Sequence, residues 1–215
     1  MNNVVIVDYG LGNLKSVYQS LEKFNVKVKI SSKPEEIYDA DKLILPGVGS
    51  FVGGMKGLAI DGKDEAIIKF IKKGNFFLGI CLGMQMLMEF SNEHGVSKGL
   101  SILEGDVTII PQNYKDIVNY RKIPHIGWNT ISNARDDLVE WNNSILRDIN
   151  NFNYFYFVHS YMVNLKYEEY KLAVCNYSNQ EIVAAFQKEN ITGLQFHPEN
   201  SASNGLRIYD NFLKL

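Results

Sequence analysis

Solid apolar runs and helical spacings alternate along the first half of this chain. Val4-Val5-Ile6-Val7 is apolar at four successive positions, the pattern of a strand buried on both faces. A turn of Asp8-Tyr9-Gly10-Leu11-Gly12-Asn13 follows, and Asn13 is placed to cap a helix through Phe24, where Leu14, Val17, Leu21 and Phe24 recur at spacings of three and four. Val26 to Ile30 predicts a second strand. Pro34-Glu35-Glu36 predicts a short helix, with proline early and acids in the first turn. Lys42 to Leu45 is a third strand, ending at Pro46-Gly47-Val48-Gly49, and a helix is expected around Asp64 to Lys73. The apolar Phe76-Phe77-Leu78 then runs into a glycine-flanked turn, Gly79-Ile80-Cys81-Leu82-Gly83, followed by a helical pattern from Met84 to Glu89. Such a βαβ series predicts a mostly parallel central sheet flanked by helices, an α/β fold.

The second half changes character. Ile102 to Ile110, Thr130 to Ile131, Tyr154 to Val158, Leu172 to Asn176, Ile182 to Gln187 and Ile191 to Phe196 read as strands joined by short turns. Antiparallel pairing is expected there, with a hairpin across Gln187-Lys188-Glu189-Asn190. Leu206 to Leu215 closes the chain as a helix, and Tyr114 to Lys122, the least patterned stretch, reads as a surface loop. Without repeats, low-complexity tracts or a long linker, residues 1–215 read as a single domain.

Composition narrows the class. With 215 residues, 46% of them hydrophobic, the chain can bury a sizeable core. A net charge of −2 carries no basic excess for nucleic acid, and Lys69, Lys72 and Lys73 read as a solvated helix face. The longest apolar-rich stretch, Phe76 to Phe90, contains Gln85 and Glu89 and falls short of the roughly 20 residues of a membrane helix. The start, Met1-Asn2-Asn3-Val4, lacks the basic region of a secretory signal. The only cysteines, Cys81 and Cys175, suit neither a disulfide framework nor a zinc site, so a reducing, cytoplasmic setting without metal or other cofactor is expected. Cys175, in an apolar run, reads as a core residue.

Cys81 is different. A strand turning sharply into a helix needs residues without a Cβ around the turn, and such an elbow lifts a reactive atom above the sheet beside a helix N-terminus. That setting favours the thiolate, the nucleophilic form. A base and an orienting acid are available in His197-Pro198-Glu199, with Pro198 stiffening the presentation of both side chains. Together they read as a Cys-His-Glu triad for acyl transfer from an amide.

The same residues, together with Asp8-Tyr9-Gly10, Pro46-Gly47-Val48-Gly49, His125-Ile126-Gly127-Trp128-Asn129 and Tyr156-Phe157-Val158-His159-Ser160-Tyr161, resemble the class I (triad) glutamine amidotransferases, a flavodoxin-like fold. The likeness is narrowest to glutaminase subunits of imidazole glycerol phosphate synthase, in histidine biosynthesis. It implies that Cys81 attacks the side-chain amide of the substrate glutamine, and that His197 and Glu199 manage the proton. Backbone N–H groups of the Val48-Gly49 segment and of Leu82 would form an oxyanion hole, with Gly49 permitting a peptide flip. Gln85, Ser160 and Tyr161 would hold the amino-acid end of glutamine. Trp128 and Asn129 would lie near a synthase (cyclase) partner with a (β/α)₈ barrel, which receives ammonia as the other half of a heterodimer. His159 reads as a pocket-supporting or interface histidine, and His94 and His125 as surface or structural. The family usually has lysine after His-Pro-Glu, where this chain has Asn200. A sister amidotransferase serving another synthase, and a stand-alone γ-glutamyl hydrolase, use the same triad and stay open.

Overall fold

The computed structural model describes residues 3–112, 122–135 and 139–215. Most of the loop expected at Tyr114 to Lys122 lies outside the described residues. The first half alternates strand and helix: β1 (Asn3–Val7), α1 (Leu14–Leu21), β2 (Lys27–Ser31), α2 (Pro34–Tyr38), β3 (Lys42–Gly47), α3 (Phe51–Ala59), α4 (Lys63–Lys72), β4 (Phe76–Cys81) and α5 (Leu82–Gln85). Then come β5 (Phe90–Ser91), β6 (Ser97–Lys98), β7 (Gly105–Ile109), β8 (His125–Thr130), β9 (Ser132–Asn133), α6 (Val139–Asn142), β10 (Tyr154–His159) and β11 (Tyr161–Leu165). β12 (Lys171–Tyr177), β13 (Gln180–Lys188), β14 (Ile191–Leu194) and α7 (Ala202–Lys214) complete the chain.

The main sheet has the order β2-β1-β3-β4-β14-β13-β12-β9. Its first five strands are parallel, and β13, β12 and β9 extend it antiparallel. The late strand β14 thus occupies the fifth place of a flavodoxin-like 2-1-3-4-5 sheet. β10 pairs with β8, and β11-β7-β5-β6 forms a smaller sheet. The hairpin expected between β13 and β14 is present, with Lys188 opposite Ile191.

Side-chain alternation divides the core into two layers. Val4, Ile6, Ile44, Leu78 and Ile80 face α1 and α7, meeting Val17, Leu21, Ile208 and Phe212. Val5, Val7, Leu43, Leu45 and Phe77 face the opposite side, against Ile37, Leu58, Ile67 and Phe70. β2 lies at the sheet edge, where exposed Lys27 and Lys29 discourage further pairing.

Several elements depart from the pattern-based expectation. α1 stops at Leu21 because the Phe24 N–H closes onto the Leu21 carbonyl at 3.0 Å, tightening the last turn. The helical spacing from Met84 to Glu89 gives only the single turn Leu82–Gln85. Beyond it the carbonyls of Met86, Leu87, Met88 and Glu89 accept N–H groups from Gly99 to Leu103, which replace the helical partners. α3 has no counterpart in the pattern. Gly53, Gly54 and Gly57 weigh against a helix, yet Ser50 caps it by accepting from Gly53 N at 3.2 Å. A Cβ at Gly54 or Gly57 would lie 2.6 Å from Met86 Sδ or 2.3 Å from the Tyr9 carbonyl oxygen. These glycines let α3 close on the turn after β1.

Candidate active site

The carboxyl ends of β1, β3, β4 and β14 converge on one edge of the sheet, where open α/β sheets form their ligand crevices. Cys81 stands there at the end of β4 with φ 53° and ψ −109°, outside the regions favoured by L-residues. Packing enforces this turn: a Cβ on Gly83 would lie 1.8 Å from the Leu45 carbonyl oxygen, and one on Gly79 would lie 2.8 Å from that of Gly83. β4 and α5 therefore fold back on each other around Cys81, as a nucleophile elbow requires. Because α5 is a single turn, its influence is that of local N–H groups rather than of a long helix dipole.

His197 and Glu199 follow β14, the immediate parallel neighbour of β4. His197 Nδ1 lies 2.8 Å from Glu199 Oε1, and both side chains are almost wholly buried. Among the described residues Nε2 has no hydrogen bond of good geometry, which leaves it available to the thiol. Burial opposes charge on His197, but Cys81, by charge and hydrogen bonding, and Glu199 outweigh it and push its pKa up to about 10. Its backbone is clamped to β10. The His197 N–H donates to the Tyr156 carbonyl at 2.8 Å, the Ser201 hydroxyl donates to the His197 carbonyl at 2.7 Å, and Ser201 Oγ accepts from Tyr156 N at 3.0 Å.

A cavity of about 150 Å³ opens beside Cys81, lined by Val48, Gly49, Leu82, Gln85, Val158, His159, Ser160 and Tyr161. The three residues expected to supply oxyanion donors and the three expected to hold glutamine all border it. Gly49 has φ +103°, a backbone state that glycine adopts without strain. Gln85 donates through Nε2 to the Tyr161 carbonyl at 3.0 Å and to Gln195 Oε1 at 3.1 Å. With both donors engaged, Oε1 is the atom of Gln85 left for the cavity. The Cys81 thiol itself lies 3.7 Å from the Val158 carbonyl.

Trp128 and Asn129 lie apart from this cavity, on β8. Trp128 is 52% exposed and Ile126 59%, forming the outward face of the strand, while Tyr154 of β10 is exposed nearby at 58%. Asn129 instead turns inward and approaches His125 Nε2 at 3.3 Å. Cys175 is buried in β12, which pushes its thiol up to about 12, as befits a core residue. Asn200 is exposed after Glu199.

Sequence reasoning missed three contributors. Gln195 is fully buried, and its Nε2 lies 3.6 Å from Cys81 Sγ. The signal was there, since Gln195 is the lone amide in the run ending at Phe196. Tyr9 donates to the Pro46 carbonyl at 2.8 Å, and burial together with the nearby Cys81 charge raises its phenol pKa. Asn13 makes no side-chain cap on α1; its Nδ2 points to Glu199 Oε1 at 3.5 Å.

The family profile for "Glutamine amidotransferase class-I" matches residues 5–215. The chain belongs to the class-I glutamine amidotransferases, enzymes that draw nitrogen from glutamine. It is 44% identical over 215 residues to "Imidazole glycerol phosphate synthase subunit HisH 1" of Legionella pneumophila strain Paris, covering 100% of both chains. It is 41% identical over 211 residues to "Imidazole glycerol phosphate synthase subunit HisH" of Bacillus subtilis strain 168, covering 98% of this chain and 95% of that one. Among solved structures, PurLQS from Thermotoga maritima superposes with a TM-score of 0.70 at 17% identity, over 100% of this chain and 99% of that one, a likeness of fold.

Proposed function

We propose that this chain is the glutaminase subunit of an imidazole glycerol phosphate synthase, serving histidine biosynthesis. The observation that supports the chemistry best is the strained Cys81 elbow beside a His197–Glu199 pair, with the Gln85 cavity adjoining. The full-length identity to the Legionella and Bacillus relatives supports the pathway.

In this reading the Cys81 sulfur attacks the side-chain amide carbon of glutamine, and His197 holds the thiol proton. The carbonyl electron pair moves onto oxygen, where N–H groups of Leu82 and of the Val48-Gly49 segment receive it; each such donor is worth roughly 2.7–4 kcal/mol in the transition state. When the carbon–nitrogen bond breaks, His197 returns the proton to the departing nitrogen and ammonia leaves. Water, deprotonated by His197, then attacks the glutamyl thioester, releasing glutamate and restoring the thiol. Glu199 holds the imidazole through Nδ1 and stabilises its cationic form. Ammonia at neutral pH is mostly ammonium, a poor nucleophile, so delivery within a complex has a chemical rationale. The exposed Ile126, Trp128 and Tyr154 supply an apolar face of the kind that seats a partner subunit.

Glutamate release from glutamine tests the reading, measured on the chain alone, with a cyclase subunit, and with that subunit plus its nucleotide substrate. Low activity alone and a large rise with partner and nucleotide are expected, abolished by Cys81→Ala while synthesis from added ammonia persists. High activity alone indicates a free-standing hydrolase. Silence with every arm, in a folded chain, points to a different synthase.

A further inference from the structure

Behind the cavity, two buried histidines touch each other. His125 Nδ1 lies 3.0 Å from His159 Nε2, and His159 Nδ1 lies 2.8 Å from the Tyr161 carbonyl oxygen. At the other end, Asn129 Nδ2 lies 3.3 Å from His125 Nε2. Hydrogen-bond logic gives this series one direction. The Tyr161 carbonyl is only an acceptor, so His159 carries its proton on Nδ1 and accepts at Nε2. His125 must then donate from Nδ1 and accept at Nε2. Asn129 fits as the final donor, because its Oδ1 already accepts from Thr130 N at 2.8 Å and its Nδ2 also reaches the Asn176 carbonyl at 3.0 Å. The His125 ring is fixed between Phe157 and Tyr177, with centroids at 4.8 and 4.0 Å.

The end of the series matters for the pocket. The Tyr161 carbonyl takes its second hydrogen bond from Gln85 Nε2, and Gln85 is in turn bonded to Gln195, which reaches Cys81 Sγ. One carbonyl, with both lone pairs used, thus orients the Gln85 amide. We propose that His125 and His159 are positioning residues for glutamine: a directional tether, with both protons on Nδ1, that fixes the Tyr161 carbonyl and through it Gln85. The tether begins on the inward face of β8, the strand whose outward face is Ile126 and Trp128. It rests on the glutaminase reading only in naming glutamine as the occupant.

Two measurements test it. Nitrogen-15 NMR of the folded wild-type chain at neutral pH reads the tautomers directly; both rings should be neutral and protonated at Nδ1. A proton on Nε2 of either ring overturns the tether. Cys81 alkylation by a diazoketone analogue of glutamine, compared with iodoacetamide, reads the pocket. His159→Leu and His125→Phe (the latter keeping a ring between Phe157 and Tyr177) should weaken the analogue's saturation constant about tenfold, the scale of one lost buried hydrogen bond. Their limiting rate, and their rate with iodoacetamide, should stay within about twofold of wild type, well short of a tenfold loss. His159→Asn, whose amide still donates toward Tyr161, should recover most of the loss. An unchanged saturation constant in both folded variants overturns the proposal. If a leucine or phenylalanine variant does not fold, the wild-type tautomers still decide. Failure of the analogue on wild type, with iodoacetamide reacting normally, counts against the glutaminase reading, and the tautomers again decide the tether.

Discussion

At the residue scale, His197 stands between two partners, Cys81 and Glu199. In the proposed reaction Cys81 is its partner, and Glu199 sets its orientation and supports its charge. Glu199→Gln should keep the 2.8 Å contact sterically feasible but remove the charge, lowering the limiting rate by about 10²–10⁴-fold with a small effect on glutamine saturation. Steady-state kinetics of the partnered enzyme would show it. The same pair makes a stability statement. Because the folded value, about 10, lies above the ordinary one, the His197 charge contributes stability fully below the ordinary histidine value and loses it as pH rises through about 10. Urea midpoints between neutral and strongly alkaline pH should fall over that window, and Glu199→Gln should move the fall to lower pH. Asn13, whose side chain turns from its helix toward Glu199, illustrates why this level was only partly legible. Its sequence neighbours advertise a cap, and only the distant carboxylate explains its direction.

At the element scale, the elbow depends on backbone surfaces in contact. Gly83→Ala would drive a Cβ against the Leu45 carbonyl, and should cost at least the roughly 1–3 kcal/mol of an overpacked core, measured by urea denaturation. The β8–β10 pair has a different vulnerability. Burial holds His125 down to about 4, and burial holds His159 down to about 3. Their folded values lie below the ordinary one, so this contribution is complete above roughly pH 6.5 and is lost as pH falls through about 4 and then about 3. Acid unfolding should therefore steepen below pH ~6, and His125→Phe should flatten it. β8 also shows why pattern reading failed where it did. Its inward positions are His125 and Asn129 and its outward positions Ile126 and Trp128, the inverse of an ordinary half-buried strand. Similarly, the glycines that conceal α3 from propensity are the residues that let it approach Tyr9 and Met86. β1, β3 and β4 were legible as near-continuous apolar runs, and the β13–β14 hairpin by the polar turn between two apolar segments. The exceptions gather around the site.

At the scale of the whole molecule, two surfaces stand apart: a sheet edge that holds Cys81, and the β8–β10 face that stays apolar in the open. Trp128→Ala should leave the chain's own stability nearly unchanged, since the ring is 52% exposed. It should weaken association with the synthase subunit by about 2 kcal/mol, roughly thirtyfold in Kd by titration calorimetry. The strand order has one more consequence, for the chain as it is made. β4 presents Cys81 early, but its neighbour β14, which leads to His197, comes near the end, with Gln195 following the cysteine by 114 positions. A growing chain emerges N-terminus first, so for about half of its synthesis it carries Cys81 without His197. On the proposed triad, insertion of the last parallel strand is at once the closing step of the sheet and the arming step of the enzyme, and a ribosome that stalls before it releases a chain without a working site.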